Sequence, residues 1–156
     1  MNRVMRAEAN VLLSYSVAIA ALFVLTLLLT RDILTSLGLC ISTIAWWGPF
    51  GLGAISENQL ALAILPVAAP ILVSMVLSAL ISKLTKLGVC VATYISMTLY
   101  YVVGTAYFYV LKPSYVPDID FTLALPLWLS LLAVGVAVSC KILNSASKRL
   151  SLGLER

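Results

Sequence analysis

The hydrophobic pattern is most regular between Leu60 and Ser82, where no charged residue occurs. At about 1.5 Å of rise per residue, a helix of this length crosses a hydrocarbon core of about 30 Å. Proline or serine recurs there at every fourth position, namely Pro66, Pro70, Ser74, Ser78 and Ser82. Residues four apart lie on one side of a helix, where small side chains allow close packing. We therefore predict an inner, protein-facing helix that is kinked between Pro66 and Pro70.

Three further apolar segments have similar lengths, at residues 10–30, 89–111 and 121–142. Polar and aromatic residues in the second of these follow helical steps of three and four: Thr93, Ser96, Tyr100, Gly104 and Tyr107. We expect this face to contact protein as well. The pattern predicts an all-α, polytopic transmembrane helical bundle. Residues 1–156 form one transmembrane domain with spans at about 10–30, 60–82, 89–111 and 121–142, and residues 143–156 form a short basic tail.

The segment from Ile33 to Ile55 is apolar but rich in glycine, and it contains a Trp-Trp-Gly-Pro run that is unfavourable in a helix. It is either re-entrant, interfacial or a further span. Arg3 and Arg6 favour a cytoplasmic N-terminus and therefore four spans. If the segment crosses fully, the bundle has five.

Cationic residues near the span ends set the predicted orientation. The turn with Lys83 and Lys86 and the tail with Lys148 and Arg149 are the strongest basic segments. The positive-inside rule makes both cytoplasmic. Tryptophan is enriched at headgroup level, so Trp46, Trp47 and Trp128 are predicted interface anchors together with these four cations. We expect the bacterial inner membrane, with a cytoplasmic C-terminus.

The amino-acid composition argues against several classes of function. The chain is 62% hydrophobic and 10% charged, with a mean hydropathy of +1.09, whereas soluble domains carry about 25% charge. Histidine is absent, and the three cysteines stand singly in apolar segments. We therefore predict no enzyme, no metal, no cofactor and no direct nucleic-acid binding, with the cysteines as small buried side chains.

Acidic residues are confined to the segment ends and loops, including Asp118 and Asp120. Proton- and cation-coupled carriers usually place a carboxylate inside the membrane. The pattern therefore disfavours that class. A channel or transporter for a neutral solute stays open, with the Pro66 to Ser82 stripe as its path.

The order of these parts resembles two groups of small bacterial defence proteins. Basic residues precede the first span, a proline-bearing span ends in a basic turn at Lys83 and Lys86, and an acidic loop precedes a basic tail. This layout is similar to the four-span membrane subunit of the Kiwa antiphage system and to the immunity proteins of pore-forming colicins. The resemblance implies a role in sensing or guarding the envelope.

From these observations we expect a non-enzymatic membrane protein. It would recognise itself and a partner protein through the proline and serine stripe and the tyrosine face, as a homo-oligomer in contact with the lipid bilayer. The partner would bind in the membrane or at its cytoplasmic side. The alternatives are a small channel or transporter for a neutral solute and an accessory subunit of a respiratory or secretion complex.

Overall fold

The structure, a computed structural model, describes residues 3–46, 60–111 and 121–153. Every regular element in these ranges is an α-helix: α1 (Arg3–Thr30), α2 (Ile33–Trp46), α3 (Leu60–Leu84), α4 (Val89–Leu111) and α5 (Phe121–Gly153). The all-helical prediction is confirmed. Within the same ranges, three stretches are long and apolar enough to cross a membrane, namely Arg3–Thr30, Val89–Ala106 and Ala124–Ser147, and the stretch Ala68–Leu84 of α3 is shorter. The prediction of four spans is therefore not confirmed.

Helix α1 is the centre of the bundle, because it packs against each of the other four helices. Its buried positions follow steps of three and four and are mostly small: Ala7, Asn10, Val11, Ser14, Tyr15, Ala18, Leu22 and Thr26. Lipid tails are as apolar as leucine, so helices in a membrane associate through close packing and hydrogen bonds rather than through the hydrophobic effect. Small residues on α1 permit that close approach.

Two hydrogen bonds define one end of the bundle. The Arg3 guanidinium donates to the Leu87 carbonyl in the turn between α3 and α4, and the Arg6 guanidinium donates to Asn144 Oδ1 in α5. The start of α1, the α3–α4 turn and the last part of α5 therefore lie together. We call this the basic end. Helices α1 and α4 run away from it, and α3 and α5 run toward it.

The chain turns sharply at the opposite end, between α1 and α2. Arg31 adopts a left-handed conformation with φ 56°, and its N–H donates to the Leu27 carbonyl at 2.9 Å. Asp32 then caps α2, because its Oδ2 accepts a hydrogen bond from the Thr35 backbone N–H at 2.8 Å. The Thr35 hydroxyl and backbone N–H together lower the pKa of the Asp32 carboxyl. The charged carboxylate therefore fixes the direction in which α2 leaves α1.

Helix α2 folds back along α1 but is short. Its 14 residues give about 21 Å at the rise of an α-helix, which is less than the thickness of a hydrocarbon core. Among the side chains of α2 that the structure describes, Ser36 and Cys40 are buried, and the Cys40 thiol lies 3.9 Å from the Ile19 carbonyl. The rest of the apolar segment that ends at Ile55 lies outside the described residues.

The helices extend further than the predicted spans at the basic end. Helix α1 begins at Arg3 rather than near Asn10, and α5 continues past Ile142 to Gly153. Hydropathy marks where a helix is apolar, whereas its hydrogen bonds continue wherever the residues tolerate helix. Residues 143–153, most of the predicted tail, therefore continue α5, with exposed side chains at residues 144–147.

The backbones of α1 and α5 approach each other closely at Gly135. A Cβ atom added at Gly135 would lie 2.4 Å from the Ser14 carbonyl oxygen, which is far inside van der Waals contact. Glycine is required there because the obstructing atom belongs to the backbone and cannot rotate away.

We predict that Gly135→Ala forces α1 and α5 apart and lowers the free energy of unfolding by roughly 1–3 kcal/mol. Gly38→Ala is the matched control, since a Cβ at Gly38 meets nothing within 4 Å. It should be neutral or stabilise by up to about 1 kcal/mol through helix propensity. Thermal unfolding in mild detergent measures both variants. Equal midpoints for the two variants would contradict the close α1–α5 contact.

Candidate functional site

The predicted stripe on α3 lies inside the bundle. Pro70, Ser74, Ser78 and Ser82 are all buried, and Ser74, Ser78 and Ser82 have no exposed surface. A step of four residues turns about 40° around a helix axis. Successive members of the stripe therefore face different neighbours, with Ser74 against α1 and Ser78 against α4.

A hydrogen-bonded group of three polar side chains joins three helices. Asn10 Nδ2 in α1 donates to Thr93 Oγ1 in α4 at 3.1 Å. Thr93 Oγ1 also shares a hydrogen bond with Ser78 Oγ in α3 at 3.0 Å. All three side chains are fully buried. Because hydrocarbon offers no partner to a polar group, these bonds hold the three helices in one register.

A second polar contact lies further from the basic end. The Tyr15 hydroxyl of α1 lies 3.3 Å from the Pro70 carbonyl, to which it donates, and 3.2 Å from Ser74 Oγ. We call Asn10, Tyr15, Ser74, Ser78 and Thr93 the polar seam. It runs along α1 and attaches the middle of α3 at two levels one helical turn apart, through Ser74 and Ser78.

Aromatic rings continue the packed interior between α4 and α5. Trp128 and Tyr101 pack edge to face with ring centroids 5.8 Å apart, and Tyr100 packs against Tyr101 at 5.3 Å. Trp128 has 1% of its surface exposed. The sequence placed Trp128 at the membrane interface by its residue type, whereas in the structure its ring packs between helices.

The other predicted residues occupy several environments. Ser96 and Gly104 are buried, and the hydroxyls of Ser96 and Ser82 donate to carbonyls of their own helices at 2.8 and 3.0 Å. Lys83 and Lys86 are exposed at the basic end. Trp47 and the side chains of Pro66, Tyr107, Trp46, Lys148 and Arg149 lie outside the part that the structure describes.

The sequence-based prediction does not identify the two α1 residues of the polar seam. It gives Asn10 only as the start of the first predicted span, and it gives Tyr15 no role. A signal was present, because Asn10, Ser14 and Ala18 repeat at intervals of four, as the α3 stripe does. The repeat is hard to recognise in the sequence because a long apolar run follows it.

The cysteine prediction was wrong for two of the three residues. Cys90 at the start of α4 and Cys140 in α5 form a disulfide, with a Cα–Cα distance of 6.1 Å. Cys140 Sγ also lies 3.3 Å from Asn10 Nδ2, so the disulfide adjoins the polar seam. Cys40 is free and buried, as expected. A spacing of fifty residues carries no information on pairing, since helix topology decides which cysteines meet.

The seam contains only neutral amide and hydroxyl groups with partners inside the chain. Within the described ranges, no group of three or more His, Cys, Asp or Glu side chains could hold a metal ion. The groove lined by Tyr94, Ile95, Thr98, Leu99 and Val102 faces outward from α4 and has a volume of about 280 Å³. The arrangement is chemically suited to holding helices together.

Comparison with known proteins adds no family. No family model, curated protein or solved structure matches the chain.

We predict that Asn10→Ala lowers the free energy of unfolding by about 1–2 kcal/mol, because it removes the α1 donor to Thr93. Thr93→Val should cost a similar amount, and the double variant should cost less than the sum because both changes break one bond. Ser16→Ala is the control, since Ser16 is exposed and bonds its own helix. Denaturant titration in detergent measures all four. Full additivity would contradict the Asn10–Thr93 bond.

We predict that one cysteine reacts with maleimide in dodecyl sulfate before reduction and that all three react after reduction, because Cys90 and Cys140 are bonded. In Cys90→Ser, two cysteines should react under both conditions. Intact-mass spectrometry counts the labels. Three labels on the unreduced wild-type chain would show that these two thiols are not joined.

Proposed function

We propose that this chain is a non-enzymatic integral membrane protein that acts by helix–helix recognition of a partner protein and of its own copies. The neutral, internally bonded polar seam supports this function, because it builds a stable bundle without any group suited to acid–base or metal chemistry. The bundle is therefore a scaffold. Recognition then depends on the surfaces that the seam does not occupy.

We propose four crossings, by α1, α3, α4 and α5, with α2 as a re-entrant half-helix. Helix α3 ends at the basic end, so it begins at the opposite end, where α1 finishes and α2 starts. In this proposal, the segment from Ile33 to Gln59 therefore starts and finishes at the same end of the bundle. A single full crossing within this segment would place the start of α3 at the wrong end.

The proposed orientation places the basic end in the bacterial cytoplasm. Arg3, Arg6, Lys83, Lys86 and Lys141 lie there, and Glu8 is the one acidic residue at that end in the part of the chain that the structure describes. Asp32 lies at the other end. This asymmetry follows the positive-inside rule, and it gives cytoplasmic N- and C-terminal segments.

Helix α2 supports recognition most directly. It packs against α1, through Ser36 and Cys40, and also contacts α3, and several of its described apolar side chains are exposed, with Leu34 at 79% and Ile41 at 56%. We propose that α2, rather than the buried α3 stripe, receives a helix of the partner or of a second copy.

The biological role that we propose is envelope sensing, anchoring or immunity during phage or bacteriocin attack. It rests on the resemblance in layout to the Kiwa membrane subunit and to colicin immunity proteins. The proposed recognition through α2 would serve such a role.

Transport of a neutral solute is the alternative function, and assembly as an accessory subunit of a larger complex is a further one. A path along α3 would need the hydroxyls of Ser74, Ser78 and Thr93 to face water. In the described helices these hydroxyls bond to Tyr15, to Asn10 and to one another. This packing favours recognition over transport.

The proposal predicts protein contact at α2 in living cells. A photo-cross-linking amino acid at Ile41 should give adducts with a protein partner or a second copy. The same amino acid at Val134, which is also apolar and 52% exposed, is the matched control on α5 and should give lipid adducts. Gel shift and mass spectrometry identify the adducts.

Lipid adducts alone at both positions would contradict recognition through α2. Solute flux in proteoliposomes that is lost in Ser78→Leu, with the fold retained, would instead favour the transport alternative.

A further inference from the structure

Several segments of the chain contribute positively charged side chains to the basic end. Arg3 and Arg6 come from α1, Lys83 and Lys86 from the end of α3 and the turn that follows it, and Lys141 from α5. Arg3 bonds a backbone carbonyl and Arg6 bonds an amide oxygen, so neither charge is neutralised by its partner. None of these five cations has an acidic partner among the described residues.

A groove on α5 lies at the same end. It has a volume of about 480 Å³ and is lined by Val138, Lys141, Ile142, Ser145 and Ala146. The Cys90–Cys140 disulfide joins α5 to the start of α4 one residue before Lys141. These five positions form one outward face of α5, at steps of three and four.

The groove is lined by two neighbouring rows of side chains on α5. Val138, Ile142 and Ala146 are four residues apart and form an apolar row, and Lys141 and Ser145 are four residues apart and form a polar row beside it. The ammonium group of Lys141 can extend along its row toward the basic end. An apolar floor beside a cation and a hydroxyl complements an acyl chain that carries an anionic headgroup.

We infer that the groove formed by Val138, Lys141, Ile142 and Ser145 binds an anionic phospholipid. The phosphate would lie at Lys141 and Ser145, and an acyl chain would lie along Val138 and Ile142. The other cations of the basic end raise the local concentration of anionic lipid but do not form the site. This inference does not depend on partner recognition through α2.

The test is native mass spectrometry of the full chain in detergent, titrated with phosphatidylglycerol and, separately, with phosphatidylcholine. The wild-type chain should bind phosphatidylglycerol more tightly. Lys141→Gln should weaken phosphatidylglycerol binding about fivefold and leave phosphatidylcholine binding unchanged. Ser145→Ala should weaken it by a smaller factor. Thermal unfolding without added lipid should show that both variants keep the wild-type fold.

Lys83→Gln is the matched control, because it removes an exposed lysine from the same end without changing the groove. It should leave phosphatidylglycerol binding within twofold of wild type. Equal losses in Lys83→Gln and Lys141→Gln would overturn the inference in favour of diffuse attraction. Unchanged binding in Lys141→Gln, or competition by inorganic phosphate at millimolar concentration, would also overturn it.

Discussion

A polar side chain buried in a membrane protein must find its partner within the protein, and the arrangement around Asn10 follows from that requirement. Its amide nitrogen donates to Thr93, and Thr93 shares a bond with Ser78, so one residue of α1 fixes the positions of α4 and α3. Cys140 of α5 lies against the same amide. Without this contact, α1 would present an unpaired amide to an apolar interior, which costs several kcal/mol.

Close packing and hydrogen bonding reinforce each other around α1. Gly135 allows the backbone of α5 to reach Ser14, and this approach brings the α5 face with Cys140 to within reach of Asn10. Tyr15 then holds α3 at a second level through Ser74. Two levels of attachment prevent α3 from sliding or rotating against α1. The result is a bundle in which the residues of the polar seam are used in its own assembly.

Because the polar seam residues bond to one another, they stabilise the bundle and are not available to bind other molecules. The α3 stripe has the features of an association surface, yet its residues meet partners within the same chain. The two surfaces that we propose for other molecules are the exposed apolar residues of α2 and the basic end. They differ in chemistry, since one is suited to another helix and the other to anionic headgroups. A protein partner and a lipid could therefore occupy the molecule together.

The sequence by itself determined the helical class, the membrane-length apolar segments and the burial of the α3 and α4 stripes. These properties follow from hydropathy and from a period of 3.6 residues, which are local. Only the tertiary structure decided which helices meet: that Asn10 bonds Thr93, that Cys90 pairs with Cys140, that Trp128 packs on Tyr101, and that cations from three segments share one end. Each of these contacts joins residues far apart in the chain. Their meeting depends on the direction and order of whole helices, which no local pattern encodes.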